Sequence, residues 1–128
     1  MILRALSILS ILLLCPAAVV AAECPSADVA QIIEVLQRMP SCDSAYKVFD
    51  SCSYGSRTDV QLGAVVTAKC ESTFLTKLAP WRRKIYDGKH AVCSRNYRNR
   101  QGSGWQSFEA KCHAALARRY ARIMAPGE

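Results

Sequence analysis

Residues 93–112 read CSRNYRNRQGSGWQSFEAKC. Cys93 and Cys112 stand at equal distances from the junction of Gly102 and Ser103. Gln101-Gly102-Ser103-Gly104 is the clearest loop in the chain, because glycine and serine favour turns over helix interiors. Helical patterns run up to this loop and away from it, so the segment predicts an antiparallel helical hairpin. Its two cysteines then face each other and can close a disulfide, which needs Cα atoms within roughly 7 Å.

Helix signals continue on both sides. Downstream, Ser103 and Gln106 have the spacing of a capping box. Trp105, Phe108, Cys112, Ala115, Leu116, Tyr120 and Ile123 then make one apolar stripe at helical spacing, up to Pro126. Arg119 intrudes into that stripe. Upstream, Trp81, Ile85, Val92, Cys93 and Tyr97 share a face, with Lys89 inside it and a break expected at Asp87-Gly88. A long helix from about Asp59 to Leu78, with Thr58 as cap, is apolar on two sides through Leu62, Val65, Val66, Cys70 and Phe74. That marks a central helix. Before it, Ser53-Tyr54-Gly55-Ser56 reads as a turn, and a short helix spans about Asp43 to Phe49, capped by Ser41 or Asp43. The first helix has Ser26 as cap, a stripe of Val29, Ile32, Ile33, Leu36 and Met39, and Pro40 as terminator. No stretch alternates as a strand would. The fold class is therefore all-α, a small disulfide-stapled bundle of four to five helices.

The N-terminus has a different character. One positive charge at Arg4 precedes the apolar run Ala5–Cys15, and Ala17–Ala22 is built of small residues. A basic start, an apolar run of roughly 7–15 residues and a small-residue cleavage site define a secretory signal peptide. Cleavage is expected after Ala22, leaving a single domain over residues 23–128. The run is shorter than the roughly 20 residues that span a bilayer, so no transmembrane segment is expected in the mature chain. Neither Cys15 nor Cys24 follows the small residue that a lipid anchor requires.

Of seven cysteines, Cys15 leaves with the leader and six remain. An even number in a small exported chain predicts three disulfides and no free thiol. Metal ligation is disfavoured, since zinc sites use close pairs and the nearest cysteines here are ten residues apart. Cys24 and Cys42 lie at opposite ends of a helix about 20 Å long and should not pair. Cys42 and Cys70 flank Gly55-Ser56 symmetrically, which leaves Cys24 for Cys52. Beyond Cys93–Cys112, however, the sequence leaves the connectivity open.

Charge is uneven. Residues 23–76 hold four basic and seven acidic side chains, and residues 77–128 hold twelve basic and three acidic ones. The mature chain is thus +6, with its positive charge in the C-terminal half. Lys111, Arg118 and Arg122 fall on one face of the last helix, and Lys84, Arg95 and Arg98 are expected to extend it across the hairpin. Such a face suggests an anionic polymer or membrane surface as partner. Nucleic acid is disfavoured: Tyr86, Tyr97, Trp105 and Tyr120 interleave with the cations but lie on stripes that the core requires. A soluble amphipathic membrane binder is possible, with the condition that its apolar faces are occupied in a bundle locked by three bridges.

Catalytic signals are sparse. The two histidines, His90 and His113, come within reach of each other in the hairpin, with Asp87 three residues from His90. Two imidazoles and a carboxylate can serve acid–base chemistry on phosphate esters or hold a metal. No phosphate loop, nucleophile elbow or close carboxylate pair accompanies them. The expectation is a protein that is not an enzyme, with no cofactor and no metal, a small hydrolase being the remotest reading.

From Trp81 to Arg122, about a third of the chain, the order of features resembles the N-terminal domain of the LprI lysozyme-inhibitor family. That family's pattern is a Trp, then Arg-Asp and a cysteine, a Gly-rich stretch, a second cysteine and a helix carrying Arg. Trp81, Asp87, Cys93, Gly102-Ser103-Gly104, Cys112 and Arg118 or Arg119 match it in order. Tyr86 stands where the family has Arg, the Trp-to-Cys spacing is two residues longer, and Cys24–Cys70 fits poorly. The resemblance implies a helical protein exported to a bacterial periplasm or secreted, binding an unknown protein, and inhibition of a lysozyme; the charge asymmetry adds an anionic envelope component as the other expected partner. Animal lysozymes are strongly basic, and like charges repel over about 8 Å at physiological salt, so inhibition requires the acidic N-terminal half to make the contact.

Overall fold

Asp28, not Ser26, starts the first helix: its carboxylate accepts the backbone N–H of Ala30, while Ser26 Oγ accepts the N–H of Asp28 one turn earlier. The computed structural model describes residues 23–126; the expected signal peptide and its cleavage site lie outside the described residues. Five α-helices follow in order: α1 Val29–Arg38, α2 Cys42–Cys52, α3 Thr58–Phe74, α4 Pro80–Tyr97 and α5 Ser103–Met124, with a 3-10 turn at Leu75–Lys77 after α3. No strand occurs among the described residues, so the fold is all-α.

Three disulfides tie the helices together. Cys24–Cys52 holds the N-terminal segment to the end of α2, Cys42–Cys70 joins α2 to α3, and Cys93–Cys112 joins α4 to α5. Cα separations are 4.8, 4.7 and 5.7 Å. Loop symmetry suggests the second and third of these pairs, and the first is the remainder.

The buried cluster gathers Ile32 and Leu36 of α1, Ala45 and Phe49 of α2, Leu62, Val66 and Phe74 of α3, and Tyr86 of α4. α3 is the central helix, packed against α1, α2 and α5. Gly63 explains how closely α5 approaches it. A Cβ at that position would stand 2.9 Å from Ala110 Cβ and 3.2 Å from the Phe49 ring. Only small residues fit such an approach, and the buried line of α5 is Ser107, Ala110, Ala114, Ala117 and Ala121.

That line corrects the expected register of α5. Phe108 and Ile123, assigned to the interior, are 53% and 66% exposed. The larger Leu116 and Tyr120 pack from the shoulders. Arg119 points outward, so the apparent charge in an apolar stripe disappears once the stripe is turned onto the alanines. The capping box fails too: Ser103 is the first helical residue and Gly102, at φ +110°, holds the cap position with no side-chain bond.

α4 is corrected in the same way. It runs unbroken through Asp87-Gly88, and its inner line is Tyr86, His90, Cys93 and Tyr97. Two constraints turn it there. Cys93 must reach Cys112, and the Tyr86 ring packs edge-on against Phe74 at 5.3 Å and Tyr120 at 4.8 Å. Trp81, Ile85 and Val92, expected inside, are exposed.

α2 is longer than expected at both ends, and the Ser41–Ser44 pair forms a reciprocal capping box at its start. α3 begins one residue early, at Thr58, and gives way to the 3-10 turn before Leu78. Asp59, wholly buried, accepts hydrogen bonds from the backbone N–H groups of Tyr54, Gly55 and Ser56, from Ser56 Oγ and from Ser107 Oγ of α5. Gly55 makes the turn possible at φ +80°. One carboxylate thus fastens the α2–α3 loop to the last helix.

Candidate functional site

A groove of about 1050 Å³ opens between α3, α4 and α5. Its apolar part is Val60 with the small residues Gly63, Ala64 and Ala110; its polar part is Arg57 at the start of α3, Gln61, Thr67 and Glu71 of α3, His90 of α4, and Gln106, Glu109 and His113 of α5. The close approach at Gly63 sets the depth, and the Cys93–Cys112 bridge holds α4 against α5 so that both imidazoles reach one place.

His90 and His113 stack with ring centroids 4.6 Å apart and planes 17° apart. Their Nδ1 atoms meet in a hydrogen bond, which requires one ring to carry the shared proton and the other to accept it. Burial, and then the charge of His113, lowers the pKa of His90, against the opposing pull of Glu71 and Asp87; the neutral imidazole is favoured. The Tyr86 hydroxyl donates to Glu71 at 2.8 Å, and burial followed by this bond to Glu71 raises its pKa. Glu71 Oε1 lies 3.6 Å from His90 Nε2 and Glu109 Oε1 3.6 Å from His113 Nε2, both too long for hydrogen bonds. Two buried polar atoms of the groove, Thr67 Oγ1 and His90 Nε2, have no hydrogen-bond partner among the described residues. Leaving such groups dry and unpaired costs about 1–3 kcal/mol each, a cost that a bound polar group removes.

The histidines therefore meet, while Asp87 stays apart, paired with Arg83 at 3.1 Å on the surface of α4. The carboxylates near the imidazoles are Glu71 and Glu109; Glu109 stands four residues before His113 on the same helix, a spacing that places the two side by side, whereas nothing in the spacing points to Glu71. Ser94 Oγ lies 3.3 Å from His113 Nε2, so a hydroxyl, an imidazole and a second imidazole stand in a row. Ser94 sits inside α4, where neighbouring backbone N–H groups are spent on the helix. All six cysteines of the described residues are bridged, and no three His, Cys, Asp or Glu side chains among them converge to hold a metal ion.

Of the six basic residues expected to form one face, the three on α5 turn toward acids of α2. Arg118 and Arg122 both donate to Asp43 Oδ1 from Nε, at 2.7 and 2.8 Å, and the Arg118 guanidinium lies over the Tyr46 ring. The bond from Arg118, with help from Arg122, holds the Asp43 carboxyl down at a pKa of about 2. Lys111 Nζ is 3.5 Å from Asp50. The acids of α2 therefore answer the cations of α5. Lys84 and Arg95 stand exposed on α4 and Arg98 on its C-terminal cap. The α5 trio shares one side of its helix, and that side meets α2, which supplies the counter-charges.

Comparison with protein-family models, curated proteins and solved structures finds no match to this chain.

Proposed function

We propose that this chain is an exported, non-catalytic binding protein of the inhibitor type, similar to LprI lysozyme-inhibitor domains, and that the groove between α3, α4 and α5 receives its partner. The leader-like N-terminus supports export, and three disulfides suit an oxidising compartment. The observation that carries the reading is the pair of unpartnered buried atoms, Thr67 Oγ1 and His90 Nε2, beside Glu71 and Glu109. This lining accepts a side chain rich in hydrogen-bond donors, a lysine or arginine above all.

Such a site answers the charge objection to lysozyme. The protein is basic as a whole, yet Glu71 belongs to the acidic half of the chain, and with Glu109 it gives the groove two carboxylates against one cation, Arg57. A basic enzyme presenting one cationic side chain meets a locally complementary surface. Binding of an anionic polymer through α5 loses support, because Arg118, Arg122 and Lys111 are already paired with Asp43 and Asp50.

Ala64 is exposed and lines the groove, so Ala64→Trp fills it without entering the core. Oxidised protein should bind an animal-type lysozyme and slow its hydrolysis of cell walls, and Ala64→Trp and Glu71→Gln should each weaken this by more than about tenfold, the loss of one buried charged bond. Absence of binding defeats the lysozyme reading, and full retention by Ala64→Trp removes the groove from it.

A further inference from the structure

α4 carries two apolar lines. The inner one, Tyr86, His90, Cys93 and Tyr97, is consumed by the bundle. The outer one is Trp81, Ile85 and Val92, respectively 61%, 47% and 41% exposed. Those three recur at spacings of four and seven, so they lie along one straight edge of the helix. Gly88 completes the edge without adding a side chain.

Cations border that edge on both sides. At 100° per residue, Lys84 and Arg95 fall beside it on one flank and Arg82 and Lys89 on the other. Between residues 80 and 100 there are seven basic side chains and one acid, Asp87. Asp87 is bound to Arg83 on the opposite flank, so no carboxylate interrupts the edge. The Arg82 guanidinium sits 5.0 Å from the Trp81 ring.

We infer that the outer face of α4, with Trp81, Ile85 and Val92 as its apolar edge and Arg82, Lys84, Lys89 and Arg95 as its charged borders, docks flat on an anionic lipid surface. Charge complementarity selects that occupant. Phosphate-bearing headgroups satisfy the bordering cations while the apolar edge enters the headgroup–acyl boundary, the division of labour found in interfacial helices. A tryptophan at one end suits that boundary, its ring apolar and its N–H wet. A polyanion in water would satisfy the cations but leave Ile85 and Val92 where they are. The attachment lies along the surface, since no helix among the described residues is long and apolar enough to cross a membrane. The groove opens on the inner side of α4, so the docked protein keeps it free for a partner.

Trp81 is its own reporter once Trp105 is replaced by Phe. The protein from residue 23 onward is used, since its three bridges and its buried core all lie within that span. Mixed with vesicles of phosphatidylcholine and phosphatidylglycerol in equal parts, the W105F protein should co-sediment and its Trp81 emission should shift to the blue. Brominated acyl chains should quench it, and pure phosphatidylcholine should do neither. Lys84→Gln with Arg95→Gln should weaken binding about 25-fold, at about fivefold per surface cation, and added salt should weaken it further. Ile85→Ser with Val92→Ser should abolish the blue shift. These are exposed positions, and unchanged far-ultraviolet circular dichroism verifies the fold of each variant. No sedimentation with anionic vesicles at low salt overturns the inference. So does binding in which Trp81 stays in water, or equal binding to soluble polyphosphate with no change in emission, since either means charge contact alone.

Discussion

Asp59→Ala removes a carboxylate that accepts five hydrogen bonds at a position with no solvent exposure. Ser107, only 3% exposed, then has a buried hydroxyl without an acceptor, which costs about 1–3 kcal/mol. The amides of Gly55 and Ser56 lose a charged acceptor worth about 1.5–3 kcal/mol per bond in full burial; their loop lies near water, which restores part of each. The sum falls at about 3–5 kcal/mol, in the range for breaking a buried charged network by deleting one partner. Domains of this size have total stabilities of about 5–15 kcal/mol, so the loss is a large fraction. Urea unfolding of the oxidised protein measures it, and thermal unfolding should fall by roughly 12 °C or more, at about 4–8 °C per kcal/mol. Asp59→Asn should sit between, because one oxygen still accepts while the amide NH2 faces other donors. A double-mutant cycle with Ser107→Ala should show coupling of about 1–2 kcal/mol. An Asp59→Ala protein within about 1 kcal/mol of the parent refutes the fastening role of this carboxylate.

The Asp43 ion pairs set an acid-side dependence. Because its folded pKa is lowered from 3.8 to about 2, this contribution is complete above pH 3.8, declines as pH falls toward 2, and disappears from the stability profile of Asp43→Asn. Gly63→Val should destabilise by about 1–3 kcal/mol through overpacking, since the new Cβ meets Ala110 Cβ at 2.9 Å and the Ala110 carbonyl at 3.3 Å; urea midpoints check it. Replacing Cys93 and Cys112 together by serine should cost about 3 kcal/mol through the freed unfolded chain, and peptide mapping without reductant should recover the Cys93–Cys112 link from the parent.

Local chemistry sufficed for much of the architecture. Helix existence followed from apolar spacing, the breaks from Pro40, Pro80 and the glycines at 55 and 102, and the Cys93–Cys112 hairpin from counting outward from one loop. These depend on nearest neighbours and chain length, which sequence contains directly. Helix rotation did not. In α4 and α5 more than one apolar line exists, and the larger residues, Trp81, Ile85, Phe108 and Ile123, point to the wrong one. The buried line is chosen by how near the partner helix comes: Gly63 admits α5 so closely that alanines must face it, and Tyr86 and Cys93 turn α4 toward Phe74 and Cys112. The same holds for the site. His90 and His113 could be paired from the hairpin, but Glu71 and Thr67 join them from a third helix, and Asp43 and Asp50 neutralise α5 from a second. Such contacts lie across 61–79 residues of chain or within the width of a groove, and packing, not spacing along one helix, brings them together.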